Sequence, residues 1–205
     1  MKDRIETVAI QNVEMCPTFI GSWKINSSSI CSDLISYFES NKPKQSIGVT
    51  GIGVNLETKD SIDMKINPSE LNLAGNEVFK KYFDELFLCY REYAKEWPFL
   101  KTFANNLHIG SFNLQRYEGG QHYRELHSER SNLESLPRVL AWMTYLNDVD
   151  VEAGGSTFFS HYGLDVQPKQ GLTLIWPTDW THAHKGNTLI QGCKYIITGW
   201  MHLTD

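Results

Sequence analysis

The sequence predicts an α+β fold in which helices of the first half buttress one sheet of an antiparallel β-sandwich or barrel. Helix-spaced apolar residues characterise the first half, whereas six short apolar runs alternate with Gly-, Asn- and Asp-rich breaks after Leu107. A chain of 205 residues can fill one core. We therefore expect a single domain over 1–205, with helical support over about 1–106 and the β core over about 107–205.

Two helices are predicted before the strands begin. The first is ICSDLISYFES (30–40), preceded by serines that can cap it. The second and longer one covers about 76–97, where apolar residues recur at spacings of three and four, and Pro98 ends it. Between the helices, the Gly-rich polar stretch 48–68 predicts a loop.

The six apolar runs of the second half have strand length and close spacing, which is typical of antiparallel sheets. In chain order they are HIGSFNLQRY, RVLAWMTYLND, GSTFF, GLDVQP, GLTLIWP and KYIITGWMHL.

Charge and composition argue against several classes of protein. The net charge is −5 and the pI about 5.8, which disfavours nucleic acid as a partner. The four cysteines lie far apart without a CxxC motif, which favours a reducing compartment. The N-terminus has no apolar signal region and no stretch approaches the length of a membrane span, so we expect a cytoplasmic protein without a membrane partner. No feature of the sequence specifies an oligomeric state.

The segment YEGGQHYRELHSE contains a His-x-Glu pair, His127 and Glu129. Such a pair occurs by chance, but in an extended chain both side chains would point to the same face and could hold a metal from one side. A histidine from a distant strand would complete the 2-His-1-carboxylate set that suits non-haem Fe(II) and leaves adjacent positions open. His182 and His184 are both candidates, because an extended backbone would point them in the same direction.

The last apolar run, KYIITGW, contains a lysine where a strand interior is expected. Alternation places Lys194, Ile196, Thr198 and Trp200 on one face. A buried ammonium is costly unless an anion meets it. Lysine, threonine and tryptophan together form a poor apolar core but a suitable carboxylate pocket. A dicarboxylate that bridges the metal and Lys194, such as 2-oxoglutarate, would supply that anion.

Over about residues 112–203 the sequence resembles the 2-oxoglutarate- and Fe(II)-dependent oxygenases, in particular their prolyl 4-hydroxylase-like branch. The matching segments are RYEGGQHY (116–123), HSE (127–129), YLNDV (145–149), GGSTFF (154–159), LTLIWP (172–177), HKG (184–186) and GCKYIITGW (192–200). KDS (59–61) and WPFL (97–100) are similar to phage-encoded relatives. The resemblance implies a double-stranded β-helix (jelly-roll) core.

The resemblance also selects among the candidate ligands. In that family the distal histidine lies ten residues before the lysine and two before a glycine, which is His184 relative to Lys194. The implied catalytic metal ligands are therefore His127, Glu129 and His184. His182 is then expected to support the site from behind or to face the substrate.

The same position-by-position comparison implies a co-substrate site. Lys194 corresponds to the anchor of the C5 carboxylate of 2-oxoglutarate. Tyr117 and Tyr145 correspond to phenolic donors near the co-substrate, and Trp200 to a wall of its pocket.

The chain departs from the family pattern at the metal. Most of the family reads His-x-Asp, whereas this chain has Glu129, and one extra residue separates Tyr123 from His127. A longer carboxylate after a one-residue insertion can restore the position of the ligating oxygen. Because a carboxylate is present, the resemblance implies hydroxylation rather than the chemistry of halide-binding variants.

The implied activity is a dioxygenase that uses Fe(II), 2-oxoglutarate and dioxygen, with ascorbate as a reductant, to hydroxylate a prolyl or other residue of a protein or peptide. An alternative is the same chemistry on a free amino acid or other small molecule, and a closed pocket rather than a wide groove over the metal would favour it. A further alternative is a non-catalytic jelly-roll binding module, which would form no succinate.

Overall fold

The computed structural model describes residues 17–25, 28–51, 53–104 and 106–203. Its helices are α1 (Ser28–Ser40), α2 (Glu77–Glu96) and α3 (Phe99–Phe103). Its strands are β1 (Gly21–Lys24), β2 (Ser46–Ile47), β3 (Lys59–Asp60), β4 (Ile62–Ile66), β5 (Leu107–Ile109), β6 (Phe112–Glu118), β7 (His122–His127), β8 (Arg138–Tyr145), β9 (Thr157–Phe159), β10 (Leu164–Val166), β11 (Leu172–Pro177), β12 (His184–Gly186) and β13 (Cys193–Leu203).

The strands form two antiparallel sheets. The major sheet has the order β1-β11-β8-β13-β6-β4-β2, with β5 also paired to β13. The minor sheet has the order β10-β9-β12-β7-β3. All six predicted apolar runs contain a strand, and the predicted α+β class with antiparallel sheets is confirmed.

Helices α1 and α2 cover one face of the major sheet, as the sequence predicts. Leu34 of α1 and Phe79 of α2 belong to the same buried cluster as Trp142 of β8. The hydroxyl of Tyr82 bonds that of Thr144 at 2.8 Å, so this buried polar contact fixes α2 on β8.

The other face of the major sheet packs against the minor sheet. Strand β8 alternates accordingly: Trp142 points to the helices, whereas Met143 and Tyr145 join a second buried cluster. Phe159 of the minor sheet belongs to this second cluster. The space between the two sheets is where the polar residues of the predicted site meet.

The prediction of a loop over 48–68 is wrong in part, because β3 and β4 lie within it. Lys59 and Asp63 are both buried, and their side chains form an ion pair at 2.5 Å. The pair neutralises two charges that in the sequence look like solvent-exposed loop residues. Strands β7 and β12 were not among the predicted runs either, because they carry polar site residues.

Other predictions concern the cysteines, the membrane, the domain count and the location. Cys31, Cys89 and Cys193 are free thiols, and Cys16 lies outside the described residues. The serine at position 27, which was expected to cap α1, also lies outside them. Within the ranges given above, no helix has the length and apolar character needed to cross a bilayer. The single domain and the cytoplasmic location stay predictions.

Candidate metal centre

Adjacent strands of the minor sheet bring two histidines together. Strands β7 and β12 are antiparallel neighbours, and His127 lies directly opposite His184 in their register. Glu129 follows β7 by two residues, and its Oε1 lies 3.3 Å from Nε2 of His184 and 4.0 Å from Nε2 of His127. One potential ligand atom from each residue lies within 4.8 Å of the other two. The three predicted ligands are thus placed around one point.

Backbone carbonyls orient both imidazoles. Nδ1 of His127 donates to the carbonyl of Glu125 at 2.8 Å, and Nδ1 of His184 donates to the carbonyl of His182 at 2.9 Å. Because a carbonyl only accepts, the proton of each neutral ring lies on Nδ1. In a neutral ring Nε2 then carries the lone pair, as metal-binding histidines require.

The protonation states of His127 and Glu129 favour binding of a cation. Burial, together with the nearby His184, lowers the pKa of His127 to about 4, so this imidazole is neutral near pH 7. Burial opposes ionisation of Glu129, but contacts with His184, His127 and Trp200 outweigh it and lower its pKa to about 2. The group therefore offers a neutral imidazole from His127 and an ionised carboxylate from Glu129.

Aromatic rings enclose the histidines. The ring of Tyr123 stacks on His127, with centroids 3.9 Å apart. His184 contacts both Phe159 and Trp176, whose ring centroids are 5.3 Å and 5.2 Å away. These contacts restrict ring rotation and keep water from the back of the ligands.

Lys194 is 3% exposed and lies in the same cavity as the three ligands. Its Nζ donates to the carbonyl of Gly155 at 2.8 Å and lies 4.4 Å from the ring centroid of Tyr117. Within the described part of the chain, no acidic side chain forms an ion pair with it. Burial lowers the pKa of Lys194 to about 8.

The cavity has a volume of about 780 Å³ and is open to the surface. Lys194, Ile196, Thr198 and Trp200 all line it, so the predicted alternation along β13 is confirmed. Residues from the segments 46–51 and 131–135 also line the cavity, and most of them are exposed at its rim.

The two tyrosines lie differently. Tyr117 lines the cavity, and its hydroxyl donates to Oε1 of Gln115 at 3.0 Å. Tyr145 is fully buried, and its hydroxyl donates to Oγ1 of Thr157 at 2.6 Å. Thr157, rather than Tyr145, lines the cavity. Tyr145 thus supports the wall from behind.

His182 and Trp200 also have specific partners. Residues 180–182 form a 3-10 turn, so the backbone before His184 is not extended. Nε2 of His182 lies 2.8 Å from the carbonyl oxygen of Thr18, away from the three ligands. The indole nitrogen of Trp200 donates to Oε2 of Glu129 at 2.8 Å.

Sequence reasoning missed Arg138 and Thr157. The guanidinium of Arg138 stacks on the ring of Trp200, 3.7 Å from its centroid, and donates to the carbonyl of Glu129 at 2.7 Å. A signal was available, since Arg138 opens the apolar run RVLAWMTY, where a charged residue is unexpected. Thr157 carried no signal beyond its place in a strand.

Comparisons with known proteins identify relatives of part of the chain. Residues 112–202 match the model of the 2OG-Fe(II) oxygenase superfamily. The chain is 28% identical over 111 residues to prolyl 4-hydroxylase subunit alpha-2 of Gallus gallus, an alignment that covers 48% of this chain and 20% of that one. It is 29% identical over 130 residues to probable prolyl 4-hydroxylase 9 of Arabidopsis thaliana, covering 51% and 44%. The chain therefore spans less than half the length of these relatives.

Solved structures show the same fold. The viral collagen prolyl hydroxylase of Paramecium bursaria Chlorella virus-1 matches with a TM-score of 0.65 and 18% identity, covering 91% of this chain and 97% of that one. A Trichoplax adhaerens prolyl hydroxylase, solved with a peptide fragment of hypoxia inducible factor, matches with a TM-score of 0.69 and 17% identity, covering 90% and 84%. The predicted double-stranded β-helix with supporting helices is confirmed. Residues 112–202 are therefore similar to the 2OG-Fe(II) oxygenase superfamily, and the relatives of this region are named as prolyl 4-hydroxylases.

Proposed function

We propose that this chain is an Fe(II)- and 2-oxoglutarate-dependent dioxygenase that hydroxylates a prolyl or other residue of a protein. One observation carries the proposal: the cavity that contains the three clustered ligands also contains Lys194, a buried ammonium with a carbonyl but no carboxylate partner among the described residues. Such a cation is costly in an empty interior. A dicarboxylate bound between metal and ammonium would remove that cost.

The ligands fit Fe(II). His127 and His184 present Nε2 atoms of imidazole rings that carbonyl contacts orient, and Glu129 presents an ionised carboxylate. Two histidines and one carboxylate form the facial set found in non-haem Fe(II) oxygenases, which leaves neighbouring positions free for a chelating co-substrate and dioxygen.

Bound Fe(II) would supply the redox chemistry by which one oxygen atom of dioxygen enters the substrate and the other enters succinate, as 2-oxoglutarate loses carbon dioxide. The protein residues would bind the co-substrate and orient the metal ligands. Lys194 holds the distal carboxylate, and the ring of Tyr117 lies against its ammonium. Tyr145 positions Thr157. Phe159 and Trp176 pack against His184 and limit access of water.

A protein substrate is supported by the shape of the cavity and by the relatives. A volume of about 780 Å³ exceeds what a five-carbon diacid fills, and the rim at 46–51 and 131–135 is open. The curated relatives are named as prolyl 4-hydroxylases, and the Trichoplax neighbour was solved with a peptide. A free amino acid as the substrate is the alternative that an open rim disfavours.

Succinate formation tests the proposal. Purified protein is incubated with Fe(II), 2-oxoglutarate, ascorbate and a panel of proline-containing and proline-free peptides. We expect succinate from the wild type, and one peptide that gains the mass of one oxygen atom. His127→Ala and His184→Ala should abolish both products, because each removes a ligand.

Matched histidine variants provide the controls. His161 is exposed and lies outside the cavity, so His161→Ala should retain full succinate formation. His182→Ala should also retain it, because Nε2 of His182 faces Thr18. Equal succinate formation by His127→Ala and the wild type would contradict the proposal. A wild type that binds no metal and forms no succinate would favour the non-catalytic binding module.

A further inference from the structure

The two carboxylate oxygens of Glu129 have different partners. Oε1 faces the histidines, 3.3 Å from Nε2 of His184. Oε2 accepts a hydrogen bond of 2.8 Å from the indole nitrogen of Trp200. Glu129 follows a strand of the minor sheet, whereas Trp200 belongs to β13 of the major sheet. This bond therefore ties one oxygen to the opposite sheet and leaves the other facing the ligands.

The indole itself is held in place. The guanidinium of Arg138 lies 3.7 Å from the ring centroid of Trp200, and its Nη1 donates to the main-chain carbonyl of Glu129 at 2.7 Å. Strands β8 and β13, which carry these two side chains, are paired neighbours. Carboxylate, indole and guanidinium thus form a closed ring of contacts that fixes the rotation of the carboxylate.

Carboxylate rotation matters because a glutamate binds a metal through one oxygen or through both. A second bound oxygen would fill one of the positions that a 2-His-1-carboxylate centre otherwise leaves open. A glutamate also has one more rotatable bond than an aspartate, so its carboxylate needs an external partner to stay in one orientation.

We propose that Trp200, held by Arg138, is a positioning residue that reserves Oε2 of Glu129 in a hydrogen bond, so that the carboxylate binds the metal through Oε1 alone. The open positions of the centre then remain available for co-substrate and dioxygen. This inference rests on the proposed function, because it assigns a role toward the metal of that site.

The test counts water molecules on a bound metal and requires no turnover. Mn(II) replaces Fe(II), and the number of exchangeable metal-bound waters is measured by proton relaxation. We expect about three waters in the wild type, because the facial set leaves about three positions open. Trp200→Phe removes the N–H donor, frees Oε2 to bind the metal, and should lower the count by about one.

Trp176→Phe is the matched control. Trp176 also lines the cavity and contacts His184, but its indole nitrogen has no hydrogen-bond partner within the described residues. Phenylalanine keeps an aromatic ring against His184, so this replacement should leave the water count at the wild-type value. Replacement of Trp200 by 3-benzothienylalanine keeps the shape of the indole and removes only the N–H, so it tests the same point if Trp200→Phe fails to fold.

The outcomes separate cleanly. A lower count in the Trp200 variants but not in Trp176→Phe supports the inference. An unchanged count in the Trp200 variants overturns it, as does an equal loss in Trp176→Phe, which would reflect general disturbance of the cavity. A wild type that binds no Mn(II) would instead overturn the metal centre, and with it both proposals.

Discussion

Two lysines line the same cavity and are equally buried, yet their partners differ. Lys59 is 4% exposed and Lys194 is 3% exposed. Nζ of Lys59 lies 2.5 Å from Oδ2 of Asp63, a carboxylate that also accepts hydrogen bonds from Ser61 and Gln115. Nζ of Lys194 donates only to the carbonyl of Gly155 among the described residues.

We interpret Lys59 as a structural charge, and Lys194 is the charge proposed to bind the co-substrate. Lys59 lies on β3 of the minor sheet and Asp63 on β4 of the major sheet, so their ion pair joins the two sheets at the cavity. Its charges are satisfied within the protein. Among the described residues, no acid pairs with Lys194. An unpaired buried cation lowers stability unless a ligand supplies the anion. We therefore expect opposite results when each lysine is replaced.

Replacement of Lys59 should have the largest effect, and it should fall on stability. Lys59→Met leaves Asp63 buried without its cation, which costs about 3–5 kcal/mol of the free energy of unfolding. Urea denaturation measures the loss. The double variant Lys59→Met/Asp63→Leu removes both charges and should recover most of the stability. If Lys59→Met unfolds at the same urea concentration as the wild type, the ion pair is not a structural element.

Replacement of Lys194 should instead affect co-substrate binding. Lys194→Met removes the cation that is proposed to meet the distal carboxylate, so we expect the Kd for 2-oxoglutarate to rise about 100-fold, equivalent to about 3 kcal/mol. Calorimetry with Mn(II)-loaded protein and no oxygen measures this change. The free energy of unfolding should not fall, because no acid loses a partner.

Lys65→Met is the control for Lys194→Met. Lys65 lines the same cavity but is exposed, so its loss changes the charge of the cavity without removing a buried cation. Its Kd should stay within about threefold of the wild type, because solvent screens exposed charges. An equal loss of affinity in Lys65→Met and Lys194→Met would mean that net charge, rather than a specific anchor, binds the co-substrate.

A smaller effect is expected from pH. Burial lowers the pKa of Lys194 from 10.5 to about 8, so between these values the unfolded chain binds a proton that the folded protein lacks. The contribution of this group to stability is therefore flat below about pH 8, increases as pH rises, and levels off near the unfolded pKa. We expect a gain of about 2 kcal/mol between about pH 8 and pH 10 in the wild type relative to Lys194→Met. Urea denaturation across this range measures the difference, and parallel curves for the two proteins would contradict it.

The contrast between the lysines also shows which parts of the site could be predicted from the sequence. Lys194 could be predicted because it interrupts the apolar run KYIITGW, and β alternation places it on one face with Trp200. His127 and Glu129 could be proposed from their spacing. Lys59 could not, because its role depends on Asp63 from another sheet, and in the sequence both look like residues of a polar loop. For that reason β3 and β4 were missed.

The sequence also could not predict which side chains of a strand reach the cavity. Tyr145 and Met143 share a face of β8, but Met143 lines the cavity whereas Tyr145 lies behind Thr157. Alternation predicts which face of a strand a side chain lies on, but it does not predict how far along the strand the cavity begins. The role of Arg138 depends on its stacking with Trp200, a contact between neighbouring strands that requires the register.

Tyr117 connects the two lysines, and its replacement should have the smallest effect. Its ring lies against Lys194, and its hydroxyl donates to Gln115, which in turn donates to Asp63, the partner of Lys59. Tyr117→Phe keeps the ring and leaves Oε1 of Gln115 without its donor, so we expect a loss of about 1 kcal/mol of stability. The Kd for 2-oxoglutarate should change less than about threefold, since the cation and the ring remain.

The resemblance to the oxygenases implies instead that the phenol of Tyr117 donates to the co-substrate. Calorimetry on Tyr117→Phe decides between these roles: a rise in Kd approaching that of Lys194→Met would show that the hydroxyl turns from Gln115 to the ligand, and the structural and binding regions would then share this residue.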